Sequence, residues 1–267
     1  MMFQDLRFAL RQLRRAPGFA FTVALTLALS VGVATAVFCV IDTTILNPLP
    51  YAHPGRIVDV QSMSRSGYSQ PASWPSFKDE RAQATAFKAL AAYAAYTKIT
   101  MTTPATGPVL LPCVSSTDNF FDVFGVHPLL GRTYLPGEEE NGRNDVAVLS
   151  YGAWQKYFDG DRNALGRTIT LDGRAATVIG VMPAGFRFPL NLPDAIYTPR
   201  FSDPEQLIMP LRGDHWLLSV ARLKDGVTIQ QAQADLAHVF RNIGAAYPKT
   251  DGGRKVQLEP LAQSVTS

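Results

Sequence analysis

Histidine is the first side chain to test for chemistry here, because imidazole serves both as general base and as metal ligand near neutral pH. The chain has four, His53, His127, His215 and His238, far apart and without ligand spacing. It lacks His-Glu-x-x-His, Gly-x-Ser-x-Gly and Gly-x-Gly-x-x-Gly. Each histidine therefore reads as an ordinary surface or hydrogen-bonded residue. The run from Gly160 to Gly166, followed by Arg167 and Thr168, resembles a phosphate loop only loosely. It has five residues between its glycines and an arginine where the loop needs lysine. It also leads toward a strand, whereas a phosphate loop must open a helix.

Two further groups could carry chemistry. Glu138, Glu139 and Glu140 supply carboxylates for calcium but lack alternating oxygen ligands, so beside Gly137 and Gly142 they read as a solvated loop tip. Phe120, Phe121, Phe124, Trp154, Tyr157 and Phe158 could line a ligand pocket, and core packing is the expected use. The two cysteines, Cys39 and Cys113, lie in different parts of the chain, so no internal disulfide is expected. No catalytic residue, cofactor ligand or metal ligand is assigned, and the chain reads as non-enzymatic.

The elements around these residues say more. Residues 19–41 form a run of 23 without a charge. A helix of that length rises ~34 Å, enough for a ~30 Å hydrocarbon core. A signal peptide cleaved after Ala34-Thr35-Ala36 fits less well, because the apolar run continues past that site. A lipoprotein signal ending at Cys39 would need a small residue where Phe38 stands. A buried helix of a soluble protein is disfavoured by the unbroken length. Arg7, Arg11, Arg14 and Arg15 against Asp5 place the chain's whole net charge of +3 in residues 1–18. The expected topology is therefore a cytoplasmic N-terminus, a transmembrane helix at 19–41 and residues 42–267 outside. Phe3, Leu6, Leu10 and Leu13 give the tail the pattern of an amphipathic helix on the inner membrane surface. With no basic surplus in residues 42–267, nucleic acid is not an expected partner.

Residues 42–267 are long enough to bury a core. A strand is expected at Arg56–Gln61. A helix capped by Ser73, with Pro75 in its first turn, should follow, and Phe77, Arg81, Ala84, Phe87 and Leu90 continue at helical spacing. The pattern turns to strand near Tyr96 and again at Val109–Ser115. Asp118 is a candidate cap for a short helix ending at Gly125. Asp145–Leu149 reads as a strand, and Ser150 as the cap of a helix carrying Trp154 and Phe158. Thr168–Leu171, Asp172-Gly173 and Arg174–Val181 read as a β-hairpin with a two-residue turn. Trp216–Leu223, a helix capped by Thr228, and Val256–Leu261 complete a second strand–helix–strand unit. The expected fold class is α+β, with two such units split by an inserted, mainly β subdomain at about 116–212.

Several stretches resemble MacB-like ABC transporter permeases: DLRFALRQLRRAPGFAFTVALTLALSVGVATAVFCVIDTTILNPLPYAHPGRIV, STDNFFDVFGVHPLLGRTY, LSYGAWQKYFDGDRNALGRTITLDGRAATVIGVMPAGF and DHWLLSVARLKDGVTIQQAQADL. The resemblance runs in order along nearly the whole chain. It implies that 42–267 is a periplasmic core domain and that the chain sits in the bacterial inner membrane. It also implies a permease dimer and a cytoplasmic ABC ATPase subunit on a separate chain. Transmission of ATPase motion to the periplasm (mechanotransmission) would follow, with a periplasmic adaptor and outer-membrane channel as further partners in efflux systems. Such permeases carry four membrane helices, three after the periplasmic domain, so a chain ending at Ser267 is expected to be a gene fragment or truncated product. The alternative is a free-standing membrane-anchored periplasmic interaction module without transport activity. The transported substrate is not legible.

Overall fold

The structure is a computed structural model. It describes residues 51–188, 192–199 and 211–264, together with residues 18, 21, 22, 25–32 and 35. The chain divides into two compact units, Met1–Pro48 and Leu49–Ser267. In the first unit the described residues are helical and exposed, with Phe21, Leu25, Leu27, Leu29 and Val31 open on the surface. Among the described residues no helix is long and apolar enough to cross a membrane. All of the expected amphipathic segment at 1–18 except Gly18, and much of the expected span at 19–41, lie outside the described residues.

In the second unit, β1 (Ile57–Met63), α1 (Trp74–Gln83) and β2 (Phe87–Thr103) form a strand–helix–strand unit near its start. Another, β9 (Leu218–Leu223), α4 (Ile229–Ala246) and β10 (Lys255–Pro260), lies near its end. The two interleave. β1 lies antiparallel between β10 and β9, and β9 lies antiparallel between β1 and β2. The order β10-β1-β9-β2 is that of the split βαβ arrangement, in which neither unit can complete its sheet alone. Val58 and Val60 of β1, Phe77 of α1, and Leu236, Val239 and Phe240 of α4 share the core on the helix side.

The helix starts follow their expected caps. Ser73 accepts from the Ser76 amide, with proline in the first turn of α1. Thr228 and Gln231 make a reciprocal capping box on α4. One expectation fails: the helical spacing that ran on to Leu90 belongs to a strand. α1 stops at Gln83, and the Thr85 and Ala86 amides bond Asp235 of α4 instead. The pairing of β2 with β9 shifts register between Phe87 and Ala89. That irregularity brings Phe87 and Leu90, three apart, into the same core. A bulged strand thus imitates the helical period.

The intervening chain carries β3 (Gly107–Ser116), α2 (Phe120–Phe124), β4 (Leu130–Gly131), β5 (Val146–Leu149), α3 (Tyr151–Phe158), β6 (Thr168–Leu171), β7 (Arg174–Val181) and β8 (Ile196–Thr198). These strands extend the same sheet in the order β3-β8-β5-β7-β4, while β6 pairs with β2 and β7. β2 joins the regions: Phe87–Tyr93 pair with β9, and Tyr93–Thr103 with β3. The hairpin between β6 and β7 turns on Asp172 and Gly173, whose φ values of 47° and 80° suit a type I′ turn. Asp172 also accepts from the Thr100 amide at 2.7 Å, which ties the turn to β2. The two-residue β4 and three-residue β8 had no sequence signature, because such short strands are set by their partners. A short helix, α5 (Leu261–Ser264), follows β10.

Candidate functional site

A cleft of about 130 Å³ opens beneath the loop after β1, lined by residues that include Asp59, Gln61, Ser62, Met63, Glu80 and Phe240. Glu80 comes from α1, three residues after Phe77 and therefore on the same, core-facing side of the helix. It is only 2% exposed. Its partner is Arg254, from the turn between α4 and β10, whose Nη1 lies 3.3 Å from Glu80 Oε1 and 2.9 Å from Asp251 Oδ1. Asp251 also accepts from the Ser76 hydroxyl at 2.5 Å. Arg212 lies 3.6 Å from Asp251 and donates to Asp79 at 2.6 Å.

Arg254 reaches the cleft loop as well. Its Nη2 donates to Ser62 Oγ at 3.0 Å, and to the Gln70 and Pro71 carbonyls at 3.5 and 3.4 Å. Ser62 in turn donates to the Gln70 carbonyl. One guanidinium therefore joins β1, α1, the cleft loop and the turn before β10. That turn is tight: a Cβ on Gly252 would meet the Pro248 carbonyl oxygen at 2.3 Å. Burial pushes the Glu80 carboxyl up to about 7, Arg254 opposes the rise, and Asp251 and Asp79 add to it. Burial also acts to raise Asp251, but bonds from Ser76 and Thr250 and the charge of Arg254 hold it below the ordinary carboxylate value. His215 bonds the Pro71 carbonyl through Nδ1 at 3.1 Å, and burial lowers its pKa.

The groups singled out in the sequence lie elsewhere. His215 borders the ionic junction, His238 contacts Asn242 on α4, and His53 sits at φ 50° before a 3₁₀ turn at Pro54–Arg56. Residues 160–168 form a tight connection from α3 into β6, in which Asp161 accepts from the Asn163 amide and pairs with Arg167 at 2.5 Å. Cys113 is buried and free.

The acidic triplet corrects the expectation of a solvated tip. Glu138 and Glu139 are buried, and Glu140 alone is exposed. Glu138 takes both guanidinium nitrogens of Arg132, at 2.9 and 2.8 Å, and the Leu135 amide. Glu139 takes both of Arg81, at 3.2 and 2.6 Å, and the Asp118 amide. The triplet staples its loop to α1 and to the chain after β4. Asp118 is not the expected cap of α2: Asn119 holds that position, and Asp118 accepts from the Gly137 amide at 2.6 Å.

The aromatic residues divide between two cores. Phe120, Phe121 and Phe124 pack with Tyr51, Tyr93, Phe186, Phe188 and Tyr197. Phe124 and Phe188 have centroids 4.7 Å apart. Trp154 and Phe158 belong to a separate core with β6 and β7, and Tyr157 packs against it half-buried. Ile57 of β1 and Leu261 of α5 enter the first core too, so both ends of the interleaved layer meet the same rings.

A family model, the MacB-like periplasmic core domain, matches residues 20–239. The chain belongs to this family. Solved structures with the MacB-like fold include the periplasmic region of MacB from Actinobacillus actinomycetemcomitans, 17% identical at a TM-score of 0.56 over 79% of this chain and 91% of that one. The extracellular domain of the noncanonic ABC-type transporter YknZ from Gram-positive bacteria is 15% identical at 0.52, over 75% and 99%. A domain described as that of a permease from Porphyromonas gingivalis is 17% identical at 0.57, over 79% and 93%. No curated protein matches the chain. The ionic junction of this MacB-like domain was missed in the sequence. Its one available signal was Glu80, a charge three residues from Phe77 on an apolar face.

Proposed function

We propose that the chain is the N-terminal transmembrane helix and periplasmic domain of an ABC-type export permease, passing ATPase-driven motion to the periplasm. In this reading residues 1–18 are cytoplasmic, 19–41 cross the inner membrane and 42–267 are periplasmic, with an inserted subdomain at about 116–212. The observation that carries it is the family match, which begins at residue 20 and so takes in the apolar run as well as the domain. Hydroxyl bonding supports the membrane helix. Thr22, Thr26, Ser30 and Thr35 donate to the carbonyls of Gly18, Thr22, Thr26 and Val31, each four residues back. Such bonds satisfy hydroxyls that hydrocarbon would leave unpaired. The expected partners are a second permease copy, an ATPase subunit on a separate chain, and a periplasmic adaptor with an outer-membrane channel. The chain itself carries no chemical step.

Two measurements test this. Alkaline phosphatase fused after residue 60 should be active and fused after residue 18 inactive; the reverse pattern overturns the topology. Affinity purification of the tagged full chain from native membranes should bring down an ATP-hydrolysing subunit. Correct topology without any such subunit would favour the anchored interaction module over the permease.

A further inference from the structure

The junction under the cleft does not balance its charges. Asp79, Glu80 and Asp251 supply three carboxylates, while Arg212 and Arg254 supply two guanidiniums. Asp251 and Arg254 pair at 2.9 Å and Asp79 and Arg212 at 2.6 Å, which leaves Glu80 as the surplus acid. Its contact with Arg254, at 3.3 Å, is longer than either. Glu80 is also the carboxylate of the three that lines the cleft.

We propose that Glu80 is a proton-operated latch: protonated, it lets Arg254 hold the cleft loop shut, and ionised, it drives the junction apart and frees the loop. The balance is one proton, leaving the carboxyl for bulk water. With Glu80 neutral, the remaining two acids and two guanidiniums cancel, and Arg254 is free to serve Ser62, Gln70 and Pro71. With Glu80 charged, a buried region carries one uncompensated negative charge beside Asp251, an arrangement that low dielectric penalises. The rise of Glu80 toward neutrality agrees with this direction. The sign follows. A carboxyl raised in the closed state stabilises that state fully below its ordinary value, and this stabilisation is lost as pH rises through about 7.

Other charged groups near the latch are Arg65, packed against Gly253, and His215, which faces Pro71. Asp59 lines the cleft from β1, and Gln61 bonds both Asp59 and Glu259. A control must separate these from Glu80. The latch does not depend on membrane placement, so it can fail while the permease reading stands, and the reverse.

Hydrogen exchange of the full chain in detergent tests it. The probes are the Gln70 and Ala72 amides, which bond the Ser62 and Leu217 carbonyls. After correction for intrinsic exchange, their protection should fall by up to roughly tenfold per pH unit from pH 5.5 toward 7 and level off above it. Glu80→Gln, neutral and of the same shape, should flatten that dependence at the protected level, and His215→Gln should leave it intact. A flat wild-type profile overturns the latch. So does a Glu80→Gln profile that keeps the slope, which would assign it to Asp59, or a slope lost in His215→Gln.

Discussion

The two regions that share β2 are held together by different physics. In the interleaved layer of β10-β1-β9-β2, a cluster of ions is buried beside the apolar helix face, and one guanidinium ties four segments. Around α2 the core is a set of rings, and the charge that reaches it is Arg222, whose Nε donates to the Val123 carbonyl and which stays ionised across the working pH range. Ring packing is short-ranged and indifferent to pH. A buried ion network depends on every member keeping its charge state, and loses more than a pair when one member goes. The contrast separates a stiff element from an adjustable one, and each can be broken separately.

The largest effect should come from the rings. Phe124 is fully buried and touches Tyr51, Phe120, Phe186 and Phe188. Phe124→Ala should cost about 3–5 kcal/mol, as large-to-small changes do in close-packed cores. Denaturant unfolding followed by near-ultraviolet circular dichroism measures it, and the cost should be the same at pH 6 and pH 8. A pH-dependent cost would mean that the rings and the ions are one coupled system.

Arg254→Ala comes next and should behave in the opposite way. It leaves Glu80 and Asp251 buried without their guanidinium, a change of about 3–5 kcal/mol when both acids are ionised. Arg254 pulls the Glu80 carboxyl down, so its removal lets Glu80 stay neutral to higher pH. The cost should therefore be smaller at pH 6, where Glu80 is already protonated, and grow toward pH 8. The same unfolding experiment at both values checks it.

The difference between the regions also explains what could be read from the chain. Elements with a strong local period and a cap were legible: Ser73 and Thr228 start their helices, and Asp172-Gly173 turns its hairpin. What failed was set by distant partners. The bulge in β2 matters only because β9 lies beside it. Glu138 and Glu139 looked solvated because their arginines, Arg132 and Arg81, lie 6 and 58 residues away. The ionic junction draws on residues more than 170 apart, Glu80 and Arg254, and no local pattern joins them. The family resemblance carried the fold further than periodicity did, because it encodes such pairings without naming them.

Glu138→Gln tests whether ion pairing in the chain between β4 and β5 is a lesser version of the junction. Burial acts to raise this carboxyl, but bonds from Arg132 and the Leu135 amide outweigh it, so its pKa is lowered. The pair's stabilisation is thus present above the ordinary carboxylate value and lost as pH falls through the lowered one, the reverse of Glu80. The variant should lose about 1.5–3 kcal/mol at pH 7, the range for hydrogen bonds to a charged group, and less at pH 4. An equal loss at both values would show that Glu138 acts through shape alone.

The smallest effect isolates local structure from both cores. Thr228→Ala removes the hydroxyl that accepts from the Gln231 amide, while Gln231 can still reach back to the residue 228 amide. A cap change of this kind costs about 1 kcal/mol. It acts at the first turn of α4, whereas Arg254 lies beyond the helix's far end. The Thr228→Ala and Arg254→Ala costs should therefore add, because the sites share no partner. Additivity in the double variant would confine the latch to the junction; a shortfall would mean that α4 moves as a rigid rod and carries the state of the junction along its length.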